Sequence, residues 1–210
     1  MPVGWMLRAC LTSPSSHLFA AARTGNVTQV ARALKRGAKL ETRDETGRTA
    51  LHHAVAKDWL EAATHLLQQG APVNAADRDG FTPLHVAAES AGVSMVQLLA
   101  RFGADIDACN DYGHNPLHTA VGGGKLPVAE MLLRLGADVN APRIDGWRPL
   151  HIAASNGNEA MARLLVARGA VVNAAVSPGM TPYYMAAACG HRALAAFLHA
   201  NGAGTAKSSG

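Results

Sequence analysis

The histidines are the residues of this chain best suited to acid–base or metal chemistry, and four of the ten are evenly spaced. A catalytic centre needs several different groups that converge on one point, whereas equal spacing places one identical group in each of several repeated units. Zinc requires ligand nitrogens about 2.0–2.1 Å away, which histidines in separate units do not provide together. We therefore interpret the four as part of a scaffold. They are His52, His85, His118 and His151, 33 residues apart.

Other catalytic and cofactor motifs are missing from the sequence. No GxSxG, HExxH, GxGxxG or CxxC arrangement occurs. The stretch GGGKLP at Gly122 is not a phosphate-binding loop, because Thr119 stands where the first glycine belongs and Leu126 where Ser or Thr belongs. We expect no enzymatic activity, no cofactor and no bound metal.

Composition and charge narrow the class of protein further. Apolar residues make up 49% and charged residues 16%, which favours a packed core over disorder. The net charge of +4 is scattered, and its densest run, RALKRGAK from Arg32, is too short to indicate nucleic-acid binding. No apolar run approaches the roughly 18 residues of a membrane span. We expect neither a nucleic-acid partner nor a membrane span.

The cysteines and the N-terminus indicate the compartment. The three cysteines are an odd number without metal-binding spacing, which fits a reducing environment. The N-terminal MPVGWMLRACLTS has no sustained apolar stretch and is a poor signal peptide. We expect an intracellular, cytoplasmic protein.

The elements that carry the histidines belong to a pattern that repeats every 33 residues. A Gly-Ala pair, a second glycine and a leucine recur in one register with the histidines. The Gly-Ala pairs begin at Gly37, Gly70, Gly103, Gly136, Gly169 and Gly202; the second series is Gly47, Gly80, Gly113, Gly146 and Gly179; the leucines are Leu18, Leu51, Leu84, Leu117 and Leu150.

Each unit reads as two short helices and a turn. A side chain able to cap a helix precedes the leucine, with proline next in most units. A glycine then breaks the chain, and apolar residues at helical spacing form a second helix, which ends at the Gly-Ala pair in a left-handed conformation. The capping residues are Thr49, Thr82, Asn115 and Thr181, and the breaking glycines are Gly25, Gly92, Gly124, Gly157 and Gly190.

Two units depart from this pattern. Arg148 replaces the capping Thr or Asn in the fifth unit, either by drift or as a basic contact beside Trp147. In the second unit Asp58 and Trp59 occupy the turn between the helices, where glycine is expected, and Trp59 is expected on the outer surface.

The segments GRTALHHAV, GFTPLHVAA, GHNPLHTAV, GWRPLHIAA and GMTPYYMAA, with closings such as GADVNA, resemble the ankyrin repeat. The resemblance implies an all-α solenoid of stacked helix-turn-helix units with short hairpin-like fingers. It covers residues 11–204 in six repeats, the first and last degenerate, starting near residues 11, 44, 77, 110, 143 and 176. We expect residues 1–10 to form an N-terminal extension or cap and residues 205–210 to be a disordered tail.

The resemblance also assigns roles to polar residues. In the family the repeated histidine forms hydrogen bonds that tie its own turn to a neighbouring repeat. Asparagines in the closing segment can be substrates of asparaginyl hydroxylases in animal cells. Asn74, Asn140 and Asn173 occupy that place, and Asp107 occupies it in the third repeat.

The family exposes three positions of each finger and the end of each first helix to a concave groove. In this chain those positions carry aromatic and acidic residues, which suit interface anchors and a partner that carries a basic residue. Alternatively, Phe81 and Trp147 pack against adjacent fingers. The candidate partner-binding residues are Arg48, Arg78, Asp79, Phe81, Glu89, Asp111, Tyr112, His114, Asp145, Trp147 and Met180.

Two functions follow from this pattern. The first is a non-enzymatic module, monomeric in solution, that binds a protein or peptide partner along the concave surface of fingers and inner helices. The alternative is a structural or targeting subunit that self-associates through its Ala-rich C-terminal repeat, RALAAFLHANGA from Arg192. It requires that the apolar residues of the last helix do not face inward.

Overall fold

The computed structural model describes residues 13–204, which contain twelve helices and no strands. The described chain divides into two compact units, residues 13–105 and residues 106–204. The predicted N-terminal extension at residues 1–10 and the predicted tail at residues 205–210 lie outside the described range. None of the helices in that range combines the length and the apolar character needed to cross a membrane.

The first unit holds six helices in three pairs. They are α1 (Pro14–Thr24), α2 (Val27–Lys35), α3 (Ala50–Ala56), α4 (Leu60–Gln68), α5 (Pro83–Ser90) and α6 (Val93–Arg101). Within the unit α1, α3 and α5 pack side by side as one row, and α2, α4 and α6 form the second row. The members of each pair also contact each other, so that the unit has two layers of helices.

The second unit repeats this arrangement. Its helices are α7 (Pro116–Gly122), α8 (Leu126–Arg134), α9 (Pro149–Ser155), α10 (Glu159–Ala167), α11 (Pro182–Ala188) and α12 (Arg192–Ala200). Within this unit α7, α9 and α11 form one row and α8, α10 and α12 the other. The expected helix-turn-helix units are therefore present throughout the described residues.

The core of both units consists of the repeated leucines and small residues. Leu51, Leu84, Leu117 and Leu150 are buried. Alanines on the same helices are also buried, including Ala87 and Ala153. Side chains this small let neighbouring helices approach closely. A single helix pair cannot bury such a face, so each unit is stabilised by stacking of its pairs.

Polar side chains fix where the first helices begin. Asn115 and Thr181 accept hydrogen bonds from the backbone N–H groups of His118 and Tyr184, at 3.0 and 3.3 Å. These bonds satisfy donors that the first helical turn leaves without a partner. Proline occupies the first helical position of α5, α7, α9 and α11. The prolines and the caps Asn115 and Thr181 were correctly predicted. Thr49 and Thr82 form no such bond, and their hydroxyl groups instead lie 3.0 and 2.9 Å from Nδ1 of His52 and His85.

The predicted glycines lie between the paired helices, as expected, but the turn of the third repeat has a different conformation. Gly25, Gly124, Gly157 and Gly190 have positive φ, and Asp58 adopts the same conformation with φ of 54°. In the third repeat Ala91 occupies the equivalent position in an extended conformation, and Gly92 precedes α6 as its N-cap with φ of −93°. The difference arises because Gly92 lies one residue outside the 33-residue register.

Trp59 makes the same contact as His191, the residue at the equivalent position of the sixth repeat. Its indole Nε1–H donates to the carbonyl of Arg23 at 3.1 Å, as the His191 ring bonds to the carbonyl of Ser155, also at 3.1 Å. The indole lies so close to Gly25 that a β-carbon there would be 2.5 Å from the ring. Trp59 is thus partly exposed, as expected, and also joins two neighbouring repeats.

The apolar side of the last helix faces its own unit. Leu194 and Leu198 are buried, and α12 packs on α10. The Phe197 ring is half-buried and lies 4.3 Å from the guanidinium carbon of Arg163. These contacts place the large apolar side chains of α12 inward.

Candidate functional site

The repeated histidine of the second repeat connects neighbouring repeats, as the resemblance implied. The Nδ1 atom of His52 accepts from the backbone N–H of Thr49 at 3.1 Å, and its Nε2–H donates to the carbonyl of Phe81 at 3.0 Å. His151 Nε2 bonds instead to the carbonyl of Ala174, in the closing segment of its own repeat, at 2.9 Å. The ring of His52 therefore fastens the start of its helix to the following repeat, and the ring of His151 fastens its helix to the end of its own repeat.

These rings are unsuited to acid–base catalysis at neutral pH. Burial lowers the pKa of His52 to about 4, although the hydrogen bond to Phe81 acts in the opposite direction. Burial, followed by the neighbouring ring of His114, lowers the pKa of His118 to about 4. Both side chains are buried and stay neutral. Within residues 13–204 no three His, Cys, Asp or Glu side chains are grouped to hold a metal ion.

The fingers of the second, third and fourth repeats are each closed by a side chain at the start of the turn. The Oδ1 atom of Asp44 accepts from the N–H groups of Thr46 and Arg48, at 2.9 and 3.0 Å. Asn110 does the same for Tyr112 and His114, at 3.0 and 2.9 Å. Such Asp and Asn bonds are a common way of fixing a tight turn.

The fifth finger is closed differently, because Arg143 stands where the second, third and fourth repeats have Asp or Asn. Its guanidinium forms an ion pair with Asp145, and the Asp145 Oδ1 accepts from the N–H of Trp147 at 3.0 Å. The hydrogen bond from Arg143 also holds the pKa of Asp145 below its ordinary value. The ion pair thus replaces the usual turn-closing bond.

Phe81 and Trp147, the rings predicted to be the main anchors, are both half-buried. Phe81 meets the ring of His85 edge-on, with centroids 5.6 Å apart. Trp147 lies 6.1 Å from His151 and 5.4 Å from the guanidinium carbon of Arg143. Both rings pack within their own repeat, so only part of each face can meet a partner.

The most exposed apolar side chains of the fingers are instead Tyr112 and Ile144, at 57% and 77%. They lie in one cleft of about 370 Å³ between the fourth and fifth fingers. The cleft is lined by Asp111, Tyr112, His114, Arg143, Ile144 and Asp145.

Gly113 lets the two fingers of this cleft approach. It has φ of +73°, and a β-carbon there would lie 2.7 Å from the backbone nitrogen of Ile144. A larger residue would therefore push the fingers apart. This contact fixes Ile144 beside Tyr112 and leaves its side chain in solvent.

The remaining predicted residues occupy different surroundings. Arg48 forms an ion pair with Asp77 at 3.1 Å and is half-buried, so its charge is already used within the first unit. His114 and Met180 are half-buried. Four charged side chains are exposed, namely Arg78, Asp79, Glu89 and Asp111.

Ile144 and Arg143 were not among the predicted partner-binding residues. Ile144 occupies a finger position at which the other repeats carry mostly polar residues. An isoleucine at such a position was the sequence signal for a partner-binding residue. Arg143 could be found because the three preceding repeats carry Asp or Asn at that place. What the sequence did not provide was the degree of exposure, which depends on the neighbouring finger.

Comparison with known families agrees with this geometry. A family model described as "Ankyrin repeats (3 copies)" matches residues 18–109, 74–143 and 135–208. The chain belongs to the ankyrin-repeat family. Comparison with curated protein sequences found no match. Ankyrin repeats are generally protein–protein interaction modules, and the family is typically non-enzymatic.

The closing asparagines act as ties between neighbouring ankyrin repeats. The Asn140 amide donates to the carbonyl of Gly169 at 3.0 Å and accepts from the N–H of Val171 at 2.8 Å. Asn173 forms the equivalent pair with Gly202 and Gly204. Hydroxylation at these places stays a prediction.

Proposed function

We propose that this ankyrin-repeat protein is a non-enzymatic module that binds a protein or peptide along its fingers and inner helices. The observation that carries the proposal is the cleft in the second unit, where Tyr112 and Ile144 leave most of their apolar surface in solvent. Such exposure has no role in the packing of that unit. A bound partner would shield the apolar surface of these two side chains from water.

The energetics of such a contact are sufficient for recognition. Covering one large apolar side chain stabilises a complex by about 1.5–3 kcal/mol, and tyrosine is common among the residues that dominate interfaces. The fingers are held by hydrogen bonds and by the Arg143–Asp145 ion pair, so little ordering is needed on binding. Tyr112 and Ile144 are therefore the residues whose removal should weaken binding most.

Affinity capture with the double variant Tyr112→Ser/Ile144→Ser tests this proposal. Partners captured by the wild-type protein and identified by mass spectrometry should be lost from the variant. Val171→Ser is a matched control, because Val171 is also an exposed apolar residue but lies outside the cleft. Circular dichroism must show that both variants remain folded. Equal capture by all three proteins would contradict the assignment of the cleft.

Phe81→Ala and Trp147→Ala test the residues that the sequence predicted as anchors. Because both rings also pack within their repeats, truncation should lower the melting temperature as well as capture. If a folded Phe81→Ala/Trp147→Ala protein captures the same partners as wild type, these two rings are not part of the binding site.

The alternative function, self-association through the C-terminal repeat, has less support because Leu194 and Leu198 face inward. Light scattering over a range of concentrations separates the two functions. A mass that rises with concentration, and that Tyr184→Ser abolishes, would favour self-association, since Tyr184 is the exposed aromatic residue of that repeat.

A further inference from the structure

We infer that the cleft between the fourth and fifth fingers recognises an arginine side chain of the partner, adjacent to an apolar residue. This inference rests on the proposed function and names the chemistry of the partner at that site. Three features of the cleft lining support it: the ion pair between Arg143 and Asp145, the charge of Asp111, which is unpaired within the described chain, and the aromatic and apolar surfaces beside that charge.

Two of the charged groups in the cleft neutralise each other. The Arg143 guanidinium pairs with both carboxylate oxygens of Asp145, and its side chain is 21% exposed. It is further covered by the Trp147 ring. An acidic group of a partner would therefore find little of this cation accessible and would face the carboxylate of Asp145 beside it.

The remaining charge of the lining is negative. Asp111 is exposed and forms no ion pair with any residue of the described chain. His114 adds no positive charge at neutral pH, because burial and the nearby Arg143 lower its pKa. The cleft as a whole attracts a cation, and Asp111 is where that cation would be held.

The surfaces next to Asp111 favour arginine over lysine. Tyr112 follows Asp111 in the chain and offers a ring face, on which a planar guanidinium stacks while its N–H groups reach a carboxylate in pairs. Lysine has a compact charge that cannot do both with the same geometry. Ile144 completes the cleft with an apolar surface, which suits an apolar side chain beside the arginine.

Selection from a random peptide library displayed on phage, with the wild-type protein as bait, tests the inference. Selected peptides should carry an arginine next to an apolar residue, and replacing that arginine by lysine should weaken binding about tenfold. Asp111→Asn and Tyr112→Leu should each weaken binding by a similar factor. Asp138→Asn is the matched control, since Asp138 is an exposed carboxylate outside the cleft lining.

The outcomes separate this inference from the proposed function. Peptides that lose binding to Tyr112→Ser/Ile144→Ser but need no arginine, or bind Asp111→Asn as well as wild type, overturn the inference and leave the proposed function standing. Selected peptides whose binding is unaffected by Tyr112→Ser/Ile144→Ser overturn both. Weakening by Asp138→Asn as strong as by Asp111→Asn would show a general charge effect and also overturn the inference.

Discussion

At the scale of single residues, the capping residue determines which ring nitrogen of the repeated histidine carries the proton. His52 accepts at Nδ1 from Thr49 and donates from Nε2 to Phe81, which requires the proton on Nε2. His118 differs, because its Nδ1 has two neighbours that favour opposite forms. The backbone N–H of Asn115 points at it from 3.2 Å, whereas the Oδ1 of Asn115, an oxygen without a hydrogen, lies only 2.6 Å away. The shorter contact is attractive only with the proton on Nδ1, and we expect it to decide the form. The carbonyl groups of Trp147 and Ala141 raise the pKa of His118, but its buried Nε2 forms no hydrogen bond.

Nitrogen-15 NMR of the imidazole rings can detect this difference. We expect the Nε2-protonated form for His52 and the Nδ1-protonated form for His118 at neutral pH. Asn115→Thr should convert His118 to the Nε2-protonated form, because a threonine hydroxyl can donate to Nδ1. Identical forms of His52 and His118 in the wild-type protein would contradict this assignment.

The cap of the fifth repeat also has a consequence that can be measured. Arg148 precedes α9, and a guanidinium has no atom that can accept a hydrogen bond from the first helical turn. Its backbone N–H still donates to His151 Nδ1 at 3.2 Å. We expect Arg148→Thr to raise the free energy of unfolding by about 1 kcal/mol, the usual contribution of a cap. Chemical denaturation measures it; unchanged or lower stability would indicate that the arginine side chain makes stabilising contacts.

At the scale of elements, the turns between paired helices, except that of the third repeat, contain one left-handed residue. Asp58 has this conformation without being glycine, which is unfavourable for a residue with a β-carbon. Among the described residues, no other non-glycine residue has positive φ. The turn between α3 and α4 is held partly by Trp59, which bonds to the carbonyl of Arg23 and packs over Gly25.

Replacing this aspartate should strengthen the turn. We expect Asp58→Gly to stabilise the protein by about 0.5–1 kcal/mol, because relief of the left-handed strain exceeds the entropy that glycine adds to the unfolded chain. Thermal and urea unfolding would show the gain. Asp79→Gly is the control, since Asp79 does not have positive φ and glycine there should only destabilise.

The elements were predictable from sequence because capping residues, prolines and glycines recur in register with the leucines. The glycine of the third turn, Gly92, lies between its helices as predicted, but one residue from the register, and the conformation of that turn was not predictable from the other repeats. In the site, Tyr112 was predicted, but the relative exposure of Trp147 and Ile144 was not. That difference arises from the Arg143 side chain, which covers the tryptophan and leaves the isoleucine in solvent. The position of a residue within the repeat does not reveal such side-chain contacts, so the exposure of these two residues could not be predicted.

At the scale of the whole molecule, the buried histidines make stability depend on pH. His52 and His118 have folded-state pKa values of about 4, below the ordinary value of 6.5. Below pH 6.5 the unfolded chain therefore binds protons that the folded chain does not. The stabilisation is complete above this pH, decreases as the pH falls towards 4, and changes little below that.

Urea unfolding at about pH 7.5, 6 and 5 should show this loss, on the order of 3 kcal/mol for each ring over the full window. His52→Gln should reduce the dependence of the unfolding free energy on pH, whatever its effect on stability at neutral pH. An equal pH dependence in wild type and His52→Gln would contradict the role of the buried ring.

The asparagine ties have a consequence for how such a protein can change length. Asn74 bonds to Gly103 and Asp105, and Asn140 bonds to Gly169 and Val171, at the same separations of 29 and 31 residues. Every such bond joins a repeat to its immediate successor. A gene segment of 99 nucleotides, duplicated in frame, would therefore encode one additional repeat. Its asparagine hydrogen bonds would find their partners in the repeats directly before and after it. The hydrogen bonds that hold these repeats together also make their number easy to alter by recombination.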